Sequence, residues 1–380
     1  MADGSVQGMT GDRFAAVRTQ FEENLTRGED IGAAFCATLE GETVVDLWGG
    51  FADAAKTRPW EKDTIVNVYS TTKTMTALCA LILADRGELD FDAPVARYWP
   101  EFAANGKAEV KVSHLMAHSA GLSGWKEPIT LEDLYDWDKM TGLLAGQAPL
   151  WPPGSQSGYH ALTQGYLVGE VVRRITGKSL GTFFREEIAE PLGADFHIGL
   201  PASEDARVAE LIPPPPGTGA GDGQQTEIQA ITFNNPGIDV SETRKRAWRG
   251  AEIPAAGGTG NARSVAEIHV ILANGGVAQG KRFMSEAGCR KALELQIEGT
   301  DLMLGRSARF GMGFGLSGGI LPMPSPNSIF WGGYGGSLVI IDMDKRTSFG
   351  YAMNRMQGTT TGDMRALGLA MAMWTSLGMI

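Results

Sequence analysis

The sequence predicts an α+β fold: an antiparallel sheet flanked by terminal helices, with an inserted, mainly helical domain. Three observations carry this. Strand-like runs gather near both ends of the chain, helical spacing interrupted by Gly and Pro fills the middle, and amphipathic helices open and close the chain. A sheet shared by both ends makes the architecture discontinuous. Residues 1–75 and 255–380 are expected to form an α/β domain and residues 76–254 the helical insertion, with the active site in the cleft between them. A chain of 380 residues is long enough for two closely packed units.

Residues 12–27 place Phe14, Val17, Phe21 and Leu25 at helical spacing. Residues 31–39 and 43–51, joined by Glu40-Gly41-Glu42, predict a hairpin. Residues 64–69 read as a strand running into a helix that starts at Ser70 and stops near Gly87. Residues 91–99 are Pro-containing loop. Residues 112–116, 131–144, 161–176 and 180–188 read as helices, and the Pro- and Gly-rich residues 213–223 as a surface loop. Residues 261–274 make an amphipathic helix. Residues 310–316, 328–331, 337–342 and 347–354 alternate as strands, and residues 361–379 form a long apolar-rich helix.

Composition narrows the partners. The chain is 43% hydrophobic and 20% charged, an ordinary globular balance. Its net charge of −11 argues against nucleic acid and anionic membranes, which select for basic surface. No apolar run reaches the length of a membrane-spanning helix. Met1-Ala2-Asp3-Gly4-Ser5 lacks the basic and apolar regions of a signal peptide. Cys36, Cys79 and Cys289 are far apart in apolar surroundings and read as buried free thiols. A cytoplasmic location is expected.

Chemistry concentrates at Val68-Tyr69-Ser70-Thr71-Thr72-Lys73, where a β-prone run gives way to an apolar helix. On a helix, i and i+3 share a face, so Lys73 would lie beside the Ser70 hydroxyl. The positive helix N-terminus and burial both push such a lysine toward the neutral amine, which can take the serine proton. The same residues also read as a helix N-cap and a solvated lysine. Ser-x-x-Lys recurs at Ser123-Gly124-Trp125-Lys126, but between Gly121 and Pro128, where i and i+3 have no fixed relation.

Two further stretches complete a constellation. In Trp151-Pro152-Pro153-Gly154-Ser155-Gln156-Ser157-Gly158-Tyr159-His160, a rigid turn presents a tyrosine just before a helix. Tyr159 is either a packed aromatic or a phenol whose pKa a neighbouring lysine lowers, so that it shuttles the serine proton. In Phe330-Trp331-Gly332-Gly333-Tyr334-Gly335-Gly336-Ser337, the glycines mark either a bulged strand or an edge whose N–H groups face a substrate carbonyl.

Together the three stretches resemble the serine β-lactamase-like superfamily, in its class C β-lactamase and family VIII carboxylesterase branch, over most of the chain. Ser70-Thr-Thr-Lys73 is similar to the family's nucleophile motif and Tyr159 to the tyrosine that opens its Tyr-x-Asn motif. Trp331-Gly332-Gly333 is similar to the third motif, which is Lys-Thr-Gly in the lactamases and often Trp-Gly-Gly in the esterases. His118-Ser119-Ala120-Gly121-Leu122 and Gly257-Gly258-Thr259 look like further landmarks. The resemblance implies the β-lactamase/penicillin-recognising fold and acyl transfer through an ester on Ser70. It implies Lys73 and Tyr159 as base and relay, and the backbone N–H groups of Ser70 and Tyr334 as oxyanion hole.

Two departures point to the substrate. Ala161 replaces the asparagine of the tyrosine motif, and Trp331 stands where lactamases carry a lysine. An indole cannot hold a drug's carboxylate. Both changes favour a neutral small-molecule ester, short-chain or aryl, with little β-lactamase activity. Trp125, Trp151, Trp248 and Trp331 are candidates to line an apolar pocket beside Gly332 and Gly333. Arg244, Arg246 and Arg249 would restore anion binding only if they reached the cleft; otherwise they form a solvated face. The same acyl-enzyme would serve a β-lactamase, a D-aminopeptidase or amidase, or an acyltransferase. A non-catalytic binding protein is the remaining alternative, and the intact Ser70, Lys73 and Tyr159 stand against it.

Two rivals fail on sequence. Gly315-Leu316-Ser317-Gly318-Gly319 has the spacing of a nucleophile elbow, but the prolines after it cannot make a helix and no histidine follows it. Ser317 reads as a hairpin-turn residue. His114 and His118 are four apart, but no glutamate lies between them and no third ligand is evident, so no metal site or other cofactor is predicted.

Overall fold

Strands from the two ends of the chain meet in one nine-stranded antiparallel sheet. The computed structural model describes residues 4–218 and 224–380. The strands are β1 (Gln7–Thr10), β2 (Gly32–Leu39), β3 (Glu42–Gly50), β4 (Ile297–Thr300), β5 (Ser307–Phe310), β6 (Gly315–Leu316), β7 (Ser328–Gly332), β8 (Leu338–Asp342) and β9 (Thr347–Met353). They lie in the order β1-β3-β2-β9-β8-β7-β6-β5-β4. The join between the two ends is β2 against β9, with Cys36 opposite Gly350 and Phe35 opposite Tyr351.

Successive strand residues face opposite sides, and β9 shows what each side packs against. Phe349 meets Trp374 of the last helix, Met364–Leu377, at a centroid distance of 6.4 Å. Its neighbours face the helix Ala262–Ala273: Ser348 Oγ donates to the Ala266 carbonyl at 2.7 Å, and a Cβ on Gly350 would stand 2.8 Å from the Ala262 oxygen. That helix packs across β2 and β9, while the first helix, Ala15–Thr26, packs against the last one. The sheet is therefore covered on both faces, and β8 and β9 read as continuous apolar or small-residue runs.

The middle of the chain is helical. The central helix Thr72–Asp85 is buried from Thr72 to Leu83, as a helix apolar on nearly every face must be. It packs against Thr163–Thr176 and Leu180–Phe184. Cys36, Cys79 and Cys289 are buried free thiols. Among the described residues no helix is long and apolar enough to cross a membrane.

Several elements differ from expectation for local reasons. The strand expected over 64–69 shortens to Val66–Asn67, with a single isolated bridge from Ile65 to Val208 beside it. Residues 131–144 break at Asp136, whose carboxylate caps Lys139 N–H and starts the helix Trp137–Gly146. Residues 310–316 split into β5 and β6 because the Gly311 N–H turns back to the Phe314 carbonyl. The two edge strands, β1 and β4, escape the pattern: most of their residues are exposed, so neither carries the alternation that marks a half-buried strand. Of the loop expected over 213–223, residues 219–223 lie outside the described residues.

Candidate active site

The chain leaves Val66–Asn67 through a strained corner. Tyr69 has φ +43°, a left-handed conformation that costs a side-chain-bearing residue about 1–2 kcal/mol. Local bonds hold it there. Asn67 Oδ1 accepts the Tyr69 N–H at 3.3 Å, Thr72 Oγ1 donates to the Tyr69 carbonyl at 2.5 Å, and the ring packs edge-on against Tyr334 at 5.5 Å. The corner delivers Ser70 into a short 3-10 turn, Tyr69–Thr71, that opens the central helix. Ser70 is 8% exposed, at the mouth of a cleft.

Lys73 lies one helical turn below, fully buried. Its Nζ sits 3.1 Å from Ser70 Oγ, 2.7 Å from the Ala161 carbonyl and 2.9 Å from the Ala255 carbonyl. Burial alone drives its pKa well below the usual lysine range, and no carboxylate opposes it. A neutral amine has two N–H groups and one lone pair. The two carbonyls can only accept, so the lone pair is left for the one neighbour that can donate, the Ser70 hydroxyl.

Tyr159 completes the group: its hydroxyl donates to Ser70 Oγ. The sequence suggested a phenol with a lowered pKa. Here burial dominates and pushes it up, with only partial relief from the Ser70 hydrogen bond and the Trp331 indole. Tyr159 is therefore a neutral phenol at rest. Lys73 Nζ stands 4.9 Å from the centre of its ring, so a proton arriving on Lys73 would meet two carbonyls and a ring face.

Two loops place that phenol. Gly154 and Gly158 N–H donate to the Ser119 and His118 carbonyls, at 2.8 and 2.9 Å, docking the tyrosine loop on residues 118–122. His118 Nδ1 accepts the His160 N–H and Asp301 Oδ1 accepts the Tyr159 N–H, both at 3.1 Å. Trp331 stacks on His118 at 5.2 Å and lies 6.1 Å from the Tyr159 ring. The landmark glycine Gly258 gives its N–H to Thr72 Oγ1 at 2.9 Å, tying that segment to the start of the central helix.

The third motif approaches from the end of β7. Close backbone contact explains its glycines: a Cβ on Gly333 would lie 2.1 Å from the Val68 oxygen and 2.3 Å from Ser337 Oγ. Ser337 Oγ donates to the Val68 carbonyl at 2.9 Å and lies 3.0 Å from Thr71 Oγ1. The strand end is thus pinned to the residues on either side of the serine. Tyr334 lines the cleft together with Ser70 and Tyr159.

The remaining candidates fall elsewhere. Trp125 and Trp151 do not line the cleft; both side chains are buried, and their indoles donate at 3.0 Å to the Met140 carbonyl and to the Gln156 carbonyl of the tyrosine loop. Trp248 is likewise fully buried. Arg246 and Arg249 bind Asp205, and Arg244 donates to the Leu211 carbonyl. Ser123 Oγ is 2.7 Å from Thr232 Oγ1, and Lys126 is exposed on a loop. Ser317 sits in a turn, bonded to Met323. His114 Nδ1 accepts the Lys111 N–H, so the two spaced histidines serve different loops. Unforeseen from sequence are the cleft walls at Leu162, Phe233, Pro236 and Ile238, and the two carbonyls that hold Lys73. One signal was there to read: Thr226-x-x-Gln229 is a capping box that starts the wall helix Glu227–Phe233.

Comparison with known proteins gives a consistent set. The Beta-lactamase family profile matches residues 17–371. The esterase/beta-lactamase LipL of Mycobacterium tuberculosis is 40% identical over 299 residues, which span 74% of this chain and 67% of that protein. A crystal structure of a family VIII carboxylesterase superposes with a TM-score of 0.93 at 43% identity, covering 98% of this chain and 100% of the other. A penicillin-binding protein homolog from Caulobacter crescentus gives a TM-score of 0.91 at 39% identity over the same shares.

Proposed function

The chain belongs to the beta-lactamase family, and from that premise we propose that it is a carboxylesterase acting on short-chain or aryl esters through an acyl-enzyme on Ser70. The observation that carries the reading is the triangle at Ser70 Oγ, with the Lys73 amine on one side and the Tyr159 hydroxyl on the other. Lys73 takes the Ser70 proton as Oγ bonds to the ester carbonyl carbon. The backbone N–H groups of Ser70 and Tyr334 receive the oxyanion. As the tetrahedral adduct collapses, the alcohol leaves with the Tyr159 proton, and Tyr159 regains one from the Lys73 ammonium. Water then attacks the acyl carbon and gives a proton to Lys73. As this second adduct collapses, the Lys73 ammonium returns the proton to Ser70 Oγ, releasing the acid and restoring both groups.

The ester preference rests on the cleft lining. Among the described residues, none lining the cleft at Ser70 carries a formal charge. Its walls are Leu162, Phe233, Pro236 and Ile238, and Trp331, which stands where the lactamases carry a lysine, lines the neighbouring pocket that shares Tyr159 with the cleft. The related family VIII carboxylesterase and the esterase/beta-lactamase LipL support the same activity class. The substrate would be a small neutral molecule, with no nucleic acid or membrane partner. The three buried thiols suit a reducing cytoplasm.

The deciding experiment compares p-nitrophenyl acetate and butyrate with nitrocefin under one set of conditions. Clear turnover of the esters and kcat/KM at least about 100-fold lower for nitrocefin is expected. The reverse ranking would refute the use made of Trp331. Absence of both ester turnover and a covalent phosphonate label at Ser70 would remove the enzyme reading altogether.

Tyr159→Phe tests the relay. It keeps the ring that packs on His118 and Trp331 and deletes only the hydroxyl, so the fold should persist. The expected loss in kcat is about 100- to 1000-fold, the usual range for one proton-transfer group. A variant retaining more than a tenth of wild-type kcat would show that the leaving alcohol takes its proton elsewhere.

A further inference from the structure

Three of the four residues in the turn Gly333-Tyr334-Gly335-Gly336 are glycine, and glycine-rich backbone does not hold one conformation by itself. The direction of the Tyr334 N–H depends on that turn. The Gly336 N–H donates to the Gly333 carbonyl at 3.1 Å, and in a trans peptide this turns the Tyr334 N–H to the opposite side. The turn therefore needs an external clamp.

The clamp is visible at Gly335. Its N–H donates to the Thr359 carbonyl, and its own carbonyl accepts the Gln357 N–H, both at 2.9 Å. That carbonyl also accepts Arg365 Nη2 at 2.9 Å. Arg365, at the start of the last helix, is 3% exposed. Its remaining donors are all used: Asp363 takes Nε and Nη2 at 3.0 and 2.6 Å, and Asp30 Oδ1 and the Arg355 carbonyl take Nη1 at 2.8 and 2.7 Å. Asp30 is itself fully buried and accepts the Tyr351 hydroxyl at 2.7 Å. The turn lies directly on this cluster, because a Cβ at Gly336 would stand 2.3 Å from Asp363 Oδ2 and 2.6 Å from Arg365 Nη2.

A buried ion cluster is a poor stabiliser, since desolvation consumes most of the Coulomb gain, and an apolar plug would cost the fold less. What an apolar plug cannot do is fix the direction of a carbonyl. We infer that Arg365, braced by Asp30 and Asp363, is a positioning residue that holds the Gly333–Gly336 turn so that the Tyr334 N–H stays aimed at the oxyanion. The inference rests on the carboxylesterase reading above. Lysine cannot substitute, because one ammonium on a flexible stem lacks the planar fork that reaches Asp30, Asp363 and the Gly335 carbonyl together.

Arg365→Lys is the test, with Asp363→Asn as a milder second variant that keeps the shape of the helix cap. Active sites are first counted by phosphonate labelling, and kcat and KM are then expressed per active site for p-nitrophenyl butyrate. The affinity of an aryl boronate, whose tetrahedral adduct places an oxygen in the hole, is measured in parallel. For Arg365→Lys, kcat should fall about 10- to 100-fold with KM within about threefold, and boronate affinity should fall by a similar factor. For Asp363→Asn the same two quantities should fall together by about three- to tenfold. A purely structural role predicts fewer active sites at unchanged kcat per site and unchanged boronate affinity, and that result would overturn the inference. If Arg365→Lys does not fold, the Asp363→Asn data decide alone. A wild type that neither turns over esters nor binds the boronate removes the carboxylesterase reading, and this inference with it; an active wild type with unaffected variants removes only the role of Arg365.

Discussion

Ser70→Ala is expected to lower kcat for p-nitrophenyl esters by about 10,000-fold or more, and to abolish covalent labelling by a phosphonate. The Oγ atom is the shared partner of Lys73 Nζ and the Tyr159 hydroxyl, so in the proposed mechanism its removal takes away the bond-forming atom and the link between both proton carriers. The fold has little at stake. Neither hydrogen-bond partner needs Oγ to remain satisfied, since Lys73 keeps two carbonyl acceptors and Tyr159 faces the cleft. Melting temperature should therefore stay close to wild type while turnover collapses. Intact-protein mass spectrometry with the phosphonate reads the second half: wild type gains one adduct and the variant none. A variant that still turned over esters at more than a hundredth of the wild-type rate would place the nucleophile elsewhere.

Much of this site was readable because its geometry is local. Ser70 and Lys73 are three apart on one helix, and helix periodicity alone brings them together. The sheet was readable where strands are buried, as in β8 and β9, and invisible at its exposed edges β1 and β4. What sequence could not give is whatever depends on distant segments. The carbonyls of Ala161 and Ala255 hold Lys73 from 88 and 182 residues away, and backbone acceptors carry no signature in residue identity. The cleft walls at Phe233 and Ile238 come from a third segment. The expectation for Tyr159 went astray in sign for the same reason. A neighbouring lysine would lower a phenol's pKa if it were charged, but burial keeps Lys73 neutral and raises Tyr159 directly. Trp125 and Trp151 illustrate a plainer rule, that large aromatics seek the core first and a pocket second.

The two departures from the lactamase pattern also gain a physical meaning. Ala161 lines the cleft where an amide side chain would otherwise stand, and its carbonyl still serves Lys73. Trp331 stacks on the neutral His118, whose pKa burial holds well below the usual range. A charged group at either ring would be desolvated without a partner. These uncharged surroundings of Ser70 are what the proposed preference for a neutral ester rests on.

Lys73→Ala follows from the same point and should cost about 1000-fold in kcat/KM, within the span of a positioned general base. The pH profile supplies the sharper test. In the proposed mechanism the working form of Lys73 is the neutral amine, so ester turnover should hold above its folded pKa and fall as pH drops through it. Because burial places that pKa well below the ordinary lysine value, the acidic limb should lie well below the pH at which an ordinary lysine gives up its proton. The same displacement acts on the fold with a definite sign. Between the depressed folded pKa and the normal unfolded one, the unfolded chain binds the extra proton, so this residue makes stability rise with pH through that window. In Lys73→Ala both signatures should vanish together: the acidic limb attributable to Lys73 disappears from the residual rate, and the melting temperature loses that part of its pH slope. Measurement of kcat/KM and melting temperature across the same buffers reads both. If the acidic limb persists unchanged in the variant, it belongs to another group, and Lys73 is not the base that takes the Ser70 proton.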